Sequence, residues 1–483
     1  MVAASLVLAY GLEIFGNQTS VDEPVLGVMG RWAMLKFWVG AGRWSMGITN
    51  ILVATPVVPV VSTALGVALL GVALWWIAEQ VHLFGWERVA IVSVGATMPV
   101  LTYHFLFNTN ALGLGVGLLC VAATLHLVRK GGWPSLLAAI ATATYAVGTY
   151  DSFIVCLAML PALAALASPD RLTWLRAGGV AVGAVVLSRV IAGVFRVVLG
   201  IPDARYVDKF FDPAGLIRDP LHRTVDAVGQ VVDALSLPLP LFGRTAPWLA
   251  LWVFLAVLGA GFHVVSGPHR VSRAGAAFLF LALPVAAHAV VPVVPPASMI
   301  YLPFSVLGLS TLAVRGWTGV LQGRLRFGTF ASLAAAGLAV LTVLNNAVLA
   351  ENVQAGQAIT VMRDRDVALR INDELLTAVP TATLANPVPV VISAPVEWPA
   401  GPWQVAIDSL YMGARWAGPD YLITLGIPAT DPTQEQWVAG IKKADSMPRY
   451  PSVGWAQYAD GVLVVNLGPV PPQFRDRGPD GTN

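Results

Sequence analysis

Two adjacent carboxylates, Asp22 and Glu23, follow the first apolar run of the chain, and Pro24 comes directly after them. Repulsion between neighbouring carboxylates, together with partial burial, can raise the pKa of one of them and create a usable general base. Because Pro24 biases the preceding residue toward extended geometry, the pair is held in a defined pose. Adjacent carboxylates also attract hard divalent cations, but no third ligand fixes a metal site. The sequence leaves open which of the two acids takes the proton.

Two Gly-Arg-Trp segments follow in the same loop and contain Arg31, Trp32, Arg43 and Trp44. The arginines supply cations, and the tryptophans supply aromatic faces that can stack on a sugar ring. A solvated loop whose tryptophans anchor it at the level of the lipid headgroups explains the same residues. The spacing favours neither interpretation over the other.

Arg189 and Arg196 fall inside the apolar run "AVVLSRVIAGVFRVV", where charge is costly and usually functional. The two positions are seven residues apart, so they share one face of a helix with 3.6 residues per turn. A lipid phosphate or a polar cavity would explain them. The alternatives are a structural ion pair for Arg189 and, for Arg196, snorkelling of the side chain to the membrane interface.

Polar residues near the predicted outer helix ends form a third group. Asp151 stands in a tight turn between two apolar runs, next to Tyr150, and its simplest interpretation is a helix N-cap. Tyr103 and His104 lie in "LTYHFLFNTN", where the histidine either binds a ligand or is a hydrogen-bonded core residue. These four residues are the remaining candidates for substrate binding.

The composition indicates whether the chain is a soluble or a membrane protein. Of its 483 residues, 56% are hydrophobic and 12% are charged, and the mean hydropathy is +0.71, which is typical of polytopic membrane proteins. A net charge of +2 gives no reason to expect a nucleic-acid partner. Cys120 and Cys156 both lie in apolar runs, so neither a structural disulfide framework nor a zinc site is expected.

Eleven apolar runs approach the length of about 20 residues that a spanning helix needs. They lie at 2–16, 56–78, 89–107, 111–128, 134–150, 152–168, 177–200, 246–265, 275–294, 301–314 and 329–349. Lys and Arg concentrate in alternate loops, which places the N-terminus in the cytoplasm. The loops 17–55 and 201–245, and everything after about residue 350, are then predicted to lie outside.

The predicted fold is therefore that of an α-helical polytopic membrane protein with a small C-terminal extracytoplasmic α/β domain. Residues 1–350 form the transmembrane domain, and residues 351–483 form the outer domain. Within the outer domain, 362–376 and 431–446 have helical patterns, with Thr433 as an N-cap and Trp437 on an apolar face. The segments 387–395 and 458–468 are predicted to be strands.

Three segments carry a resemblance to one known family. The first is Asp22-Glu23 followed by Gly30-Arg31-Trp32, and the second is "GTYDSF" at 148–153, where the family usually has Gln in place of Asp151. The third is "RDRDVALRINDEL" at 363–375, an aspartate followed by a helical apolar pattern. In these motifs and in the order of its parts, the chain resembles the bacterial type II O-antigen glucosyltransferases, membrane enzymes with a GT-C-like fold.

The resemblance implies a hexosyltransferase of the bacterial cytoplasmic membrane, with no fixed cofactor beyond an optional divalent metal. It would move a sugar, glucose, from a polyprenyl-phosphate donor to a cell-surface glycan on the outer face, as in lipopolysaccharide. The family's essential acid in the first outer loop makes Asp22 or Glu23 the general base, and Arg31, Arg43, Arg196 or an arginine of 201–245 would stabilise the leaving phosphate. The alternatives are a transporter or flippase of a lipid-linked sugar and a GT-C transferase for mannose or arabinose.

Overall fold

The structure is a computed structural model. It describes residues 1–16, 26, 29–53, 59–168, 170–201, 212–236, 246–266, 270–291, 298–321, 325–394 and 418–469. Within these ranges the chain separates into two compact units. The helical unit comprises the described residues of Met1–Phe15, Arg31–Phe105 and Asn110–Glu351, and the C-terminal unit comprises those of Gly16–Gly30, Leu106–Thr109 and Asn352–Asn483.

The described residues of the helical unit are mostly α-helical, because a helix satisfies its own backbone hydrogen bonds where lipid offers none. In chain order they are α1 (Val2–Gly16), α2 (Arg31–Gly40), α3 (Trp44–Val53), α4 (Pro59–Gln80), α5 (Gly85–Ala96), α6 (Thr102–Phe105), α7 (Asn108–Lys130), α8 (Trp133–Thr149), α9 (Phe153–Ala158), α10 (Leu160–Ala167), α11 (Arg171–Leu199), α12 (Pro213–Arg218), α13 (Pro220–Ser236), α14 (Pro247–Ser266), α15 (Arg270–Val290), α16 (Leu302–Leu321) and α17 (Leu325–Ala378). The last of these continues into the residues of the C-terminal unit.

Six helical segments of the described chain are long and apolar enough to cross a membrane. They are Val60–Gln80, Asn108–Lys130, Arg171–Leu199, Pro247–Val265, Arg270–Val290 and Phe330–Ala378. Val2–Gly16, Trp44–Val53 and Phe153–Ala167 are apolar but shorter. The described helices are thus those of a membrane protein, whereas the larger count of eleven spans stays a prediction.

Two of the predicted runs are broken in the structure. Along 89–107, the first helix ends at Ala96 and a short 3-10 turn begins at Pro99, because proline lacks the N–H that a continuing helix needs. The run 152–168 divides at Met159 into α9 and α10, and Pro161 lies in the first turn of the second helix. Each of these two predicted runs therefore consists of shorter helices.

Glycines let several helices of this unit approach closely. A Cβ atom on Gly316 of α16 would overlap the carbonyl oxygen of Gly259 on α14. Across the same contact, Trp252 Nε1 donates to Ser310 Oγ at 3.0 Å. Small residues at helix contacts allow the backbones to pack tightly where lipid supplies no hydrophobic driving force.

The described part of the predicted loop 201–245 is helical. Arg223 on α13 pairs with Asp212, which precedes α12, at 2.6 Å. Leu221, Val225 and Val228 lie exposed on α13, and their spacing places them on one face of the helix. This amphipathic pattern is typical of a helix that lies at a membrane interface, and the side of the membrane on which it lies stays a prediction.

The C-terminal unit contains a four-stranded sheet in the order β2-β1-β4-β3. The strands are β1 (Val388–Ile392), β2 (Ala429–Thr430), β3 (Ala456–Ala459) and β4 (Val462–Val465). β1 pairs in parallel with β2 and β4, whereas β3 and β4 are antiparallel. The prediction of one strand over 458–468 is wrong, because Asp460 and Gly461 adopt positive φ values of 52° and 79° and turn the chain into a hairpin.

The C-terminal part of α17 packs in the same core as β1, and the described residues of this unit contain two further helices, α18 (Gly418–Thr424) and α19 (Gln434–Ala444). The predicted start of α19 is confirmed, because Thr433 and Gln436 form a capping box. Trp437 is fully buried and packs with Val391 and Ile441, as its place on the apolar face predicts. Whether this unit lies outside the cytoplasm stays a prediction.

Candidate functional site

The predicted acid pair lies outside the described residues. Asp22 and Glu23 both fall there, so the assignment of a general base and of a metal site to them stays a prediction. In the part of the chain that is described, no group of three or more His, Cys, Asp or Glu side chains could hold a metal ion. The described geometry of the site comes from the Gly-Arg-Trp segments, the Tyr150 turn and their neighbours.

Arg43 lies in the turn between α2 and α3. Gly42 takes a positive φ of 79°, which glycine adopts without a steric cost. Gly42 N donates to Val39 O at 3.0 Å and Arg43 N donates to Trp38 O at 2.8 Å, the two bonds of a Schellman motif. The sequence "GAGRW" therefore ends α2 and fixes where the Arg43 side chain begins.

The guanidinium of Arg43 lies over the ring of Tyr150. Its Cζ is 4.0 Å from the Tyr150 ring centroid and 5.8 Å from that of Trp38, within the range of cation–π attraction. Among the described residues, the ion pairs join other partners and none involves Arg43. A guanidinium held by its face keeps its in-plane N–H donors, and these match a phosphate geometrically.

His104 contacts the same tyrosine. Its ring meets that of Tyr150 edge-on, with the centroids 5.0 Å apart, and its side chain is 1% exposed. Among the described residues neither ring nitrogen has a hydrogen-bond partner, so within that part of the chain His104 lacks the bonds expected of a core histidine. A buried polar group without a partner is unusual and calls for a ligand or a water molecule. Arg43, Trp38, Tyr150 and His104 are referred to below as the Arg43 cluster.

Asp151 forms an ion pair with Arg189. Arg189 Nη2 donates to Asp151 Oδ1 at 2.7 Å. The prediction that Asp151 caps the next helix is wrong, because α9 has Ser152 as its N-cap and no side chain caps it. An ion pair of Arg189 was one of the predicted alternatives, and the structure shows this pair; a role of Asp151 or Arg189 in substrate binding stays a prediction. The two charges offset each other directly beside Tyr150.

The Trp44 side chain is buried inside the helical unit, so its ring face is not available to a sugar. Its side chain is 6% exposed, its ring stacks with that of Phe195 and its Nε1 donates to Ser188 Oγ at 3.2 Å. Tyr145 lies edge-on at 5.8 Å. The predicted use of Trp44 as a platform for sugar therefore conflicts with its surroundings.

The other candidates are not part of the Arg43 cluster. Arg31 and Trp32 begin α2, at the opposite end of that helix from Arg43, and Trp32 is 72% exposed. Arg196 is half-buried on α11, two turns beyond Arg189. Tyr103 is half-buried beside His104. Their assignment to substrate binding stays a prediction.

A hydroxyl network that the sequence did not single out fixes α3 against α8. Ser45 Oγ donates to Tyr145 O at 2.6 Å and lies 2.9 Å from Thr149 Oγ1. Thr49 Oγ1 is 2.9 Å from the Tyr145 hydroxyl. The spacing of Ser45 and Thr49, one turn apart in an apolar helix, is a signal that was available. Because Arg43 immediately precedes α3 and Tyr150 follows α8, this network sets the distance between them.

The fold and the cluster define a class: a helical membrane protein that gathers aromatic rings and a cation, which has no carboxylate partner among the described residues, at its helix ends. Such a combination suits a ligand that joins an anionic group to a sugar. A family model, that of the glucosyl transferase GtrII, matches residues 13–312. The chain belongs to this family of membrane glucosyltransferases. No curated protein matches the chain.

Proposed function

We propose that the protein transfers glucose from a polyprenyl-phosphate donor to a cell-surface glycan on the outer face of the bacterial cytoplasmic membrane. The observation that carries this proposal is the family match over 13–312. It encloses the first loop with Asp22 and Glu23, the whole Arg43 cluster and five of the six spanning segments. Lipopolysaccharide O-antigen is the acceptor that the resemblance indicates.

The reaction needs a base and a cation. As the acceptor hydroxyl attacks the anomeric carbon, its proton passes to Asp22 or Glu23. The new carbon–oxygen bond forms while the bond from the anomeric carbon to the phosphate oxygen breaks, and that electron pair leaves on the phosphate. One carboxylate suffices in an inverting displacement, so the second orients the acceptor or holds a divalent metal ion.

Arg43 supplies the cation in this proposal. Its guanidinium has no carboxylate partner within the described chain, whereas the charge of Arg189 is already offset by Asp151. Charge that develops on the leaving phosphate is stabilised best by a donor that is already in place. Arg31 and Arg196 are the alternative cations, and Trp32 keeps its predicted role as a sugar platform.

The donor is tested with purified protein and labelled sugar. Polyprenyl-phosphate glucose should label an acceptor glycan, and UDP-glucose without lipid should not. Transfer from UDP-glucose alone would refute the lipid donor. Mannosyl and arabinosyl lipids test the rival sugars, and movement of the intact donor across a vesicle without transfer would indicate a flippase.

The base is tested with Asp22→Asn and Glu23→Gln. Both variants should insert in membranes normally, and at least one should lose transfer. If both transfer at the normal rate, the base lies elsewhere. Labelling of a cysteine at position 23 from outside intact cells checks that this loop lies on the outer face.

A further inference from the structure

A second cationic site lies in the helical unit, in a cavity of about 310 Å³. Helices α4, α10 and α14 end at this cavity, and α11 and α15 begin there. Because α14 and α15 both belong to the spanning segments, the cavity lies at the level where helices meet the membrane surface. In the predicted orientation this is the cytoplasmic face.

Two arginines line the cavity, Arg273 on α15 and Arg315 on α16, together with His82 and His263. Of the described residues that line it, none is acidic. The charges of Arg273 and Arg315 repel each other, and within the described chain neither is paired with a carboxylate. Two like charges in a partly enclosed space are stabilised by an anion between them.

Backbone carbonyls accept hydrogen bonds from only some of the N–H donors of each guanidinium. Arg315 Nη2 donates to Val81 O at 2.8 Å and to Leu166 O at 2.9 Å, and Arg273 Nη1 donates to His263 O at 3.1 Å. The carbonyl ends of helices carry partial negative charge, but it is smaller than the two whole positive charges beside it. A guanidinium has five N–H donors, so both arginines retain donors for a ligand.

We propose that this cavity binds a phosphate group, and we refer to it below as the Arg273–Arg315 cavity. The planar donors of arginine match phosphate oxygens in pairs, and the volume equals that of roughly ten waters, which leaves room for a phosphate with attached atoms. Two sources present this chemistry: the headgroup of an anionic lipid in the adjacent leaflet and free phosphate from solution. The proposal is independent of the transfer reaction.

The test measures thermal unfolding of the purified full-length protein in zwitterionic detergent. Phosphatidylglycerol, phosphatidylcholine and inorganic phosphate are added separately. A ligand that binds only the folded protein raises the unfolding temperature with concentration. A rise with phosphatidylglycerol alone identifies a lipid headgroup, and a rise also with inorganic phosphate identifies the phosphate group itself. No rise with either overturns the proposal.

Arg273→Gln decides whether the rise comes from this cavity. It removes one guanidinium and a single backbone hydrogen bond, so it leaves the fold better supported than a change at Arg315. The apparent affinity should weaken about tenfold or more. Arg270→Gln is the matched control, since Arg270 begins the same helix but lies outside the cavity lining. Equal weakening in both variants, or none in Arg273→Gln, would contradict the assignment.

Discussion

In the Arg43 cluster and in the Arg273–Arg315 cavity, the arginines have no carboxylate partner within the described chain, but different neighbours support them. Arg43 lies on an aromatic face, whereas Arg315 is tied to the carbonyls of two helix ends. An arginine on a ring keeps its donors for a ligand, and its loss should cost the fold little. An arginine that also binds the carbonyl ends of helices contributes both to stability and to ligand binding. Its loss should therefore lower the free energy of unfolding and the affinity for the ligand.

The largest expected effect is on activity at the Arg43 cluster. Arg43→Gln should lower glucosyl transfer about 100- to 1,000-fold, the usual cost of removing one donor to a developing charge. Its unfolding temperature should stay close to that of the unchanged protein. Transfer per folded protein in isolated membranes measures this, with Arg171→Gln at an exposed helix start as the control. Normal transfer by Arg43→Gln would move the phosphate site to Arg31 or Arg196.

The opposite pattern is expected at Arg315. Arg315→Gln leaves the carbonyls of Val81 and Leu166 without their charged donor, so the free energy of unfolding should fall by about 3 kcal/mol. Denaturation in mixed detergent measures the change, and Arg315→Lys should restore part of it. If the variant is as stable as the unchanged protein, the cavity arginine has no structural role and the contrast between the two sites fails.

A smaller effect is expected at Tyr150, where two substitutions distinguish the contribution of the ring to donor binding from that of the hydroxyl. Tyr150→Phe keeps the aromatic face under Arg43, whereas Tyr150→Leu removes it. The cation–π contact contributes about 0.5–2 kcal/mol, so donor binding should weaken roughly 2- to 30-fold in the leucine variant only. Titration of the donor lipid against each variant measures this. Equal weakening by phenylalanine would assign the effect to the hydroxyl instead.

The smallest effect is expected at Trp44. Ser188→Ala removes the acceptor of its indole N–H at 3.2 Å and should lower the free energy of unfolding by about 1 kcal/mol. Transfer by the folded variant should be unchanged, because Trp44 packs between helices. A large loss of transfer at normal stability would restore the predicted role of Trp44 in holding the sugar.

Local sequence patterns predicted individual elements such as α19 and its buried Trp437, but not which of two segments with the same residues is buried. Both Gly-Arg-Trp segments have the same three residues, yet Trp32 is 72% exposed and Trp44 is 6% exposed. The difference arises from partners such as Phe195 and Ser188, which are far away in the chain. By contrast, the cap of α19 depends on Thr433 and Gln436 alone, and the sequence predicted it.

Long-range assembly also explains why the cavity escaped prediction. Its residues come from separate segments between His82 and Arg315, and no local sequence pattern marks any of these segments as part of a site. The ion pair of Arg189 was among the alternatives because charge in an apolar run demands a partner, but its partner Asp151 is 38 residues away. The hairpin at Asp460-Gly461 was a missed local signal, since that dipeptide favours such turns.

The contact between Gly259 and Gly316 has a consequence for biosynthesis. The second glycine is made 57 residues after the first, which takes roughly several seconds at about 5–20 residues per second. During that interval α14 lacks its contact with α16. The hydrophobicity of α14 alone therefore has to be sufficient for its insertion into the membrane. A polar substitution there would harm insertion during synthesis before it harmed the finished protein.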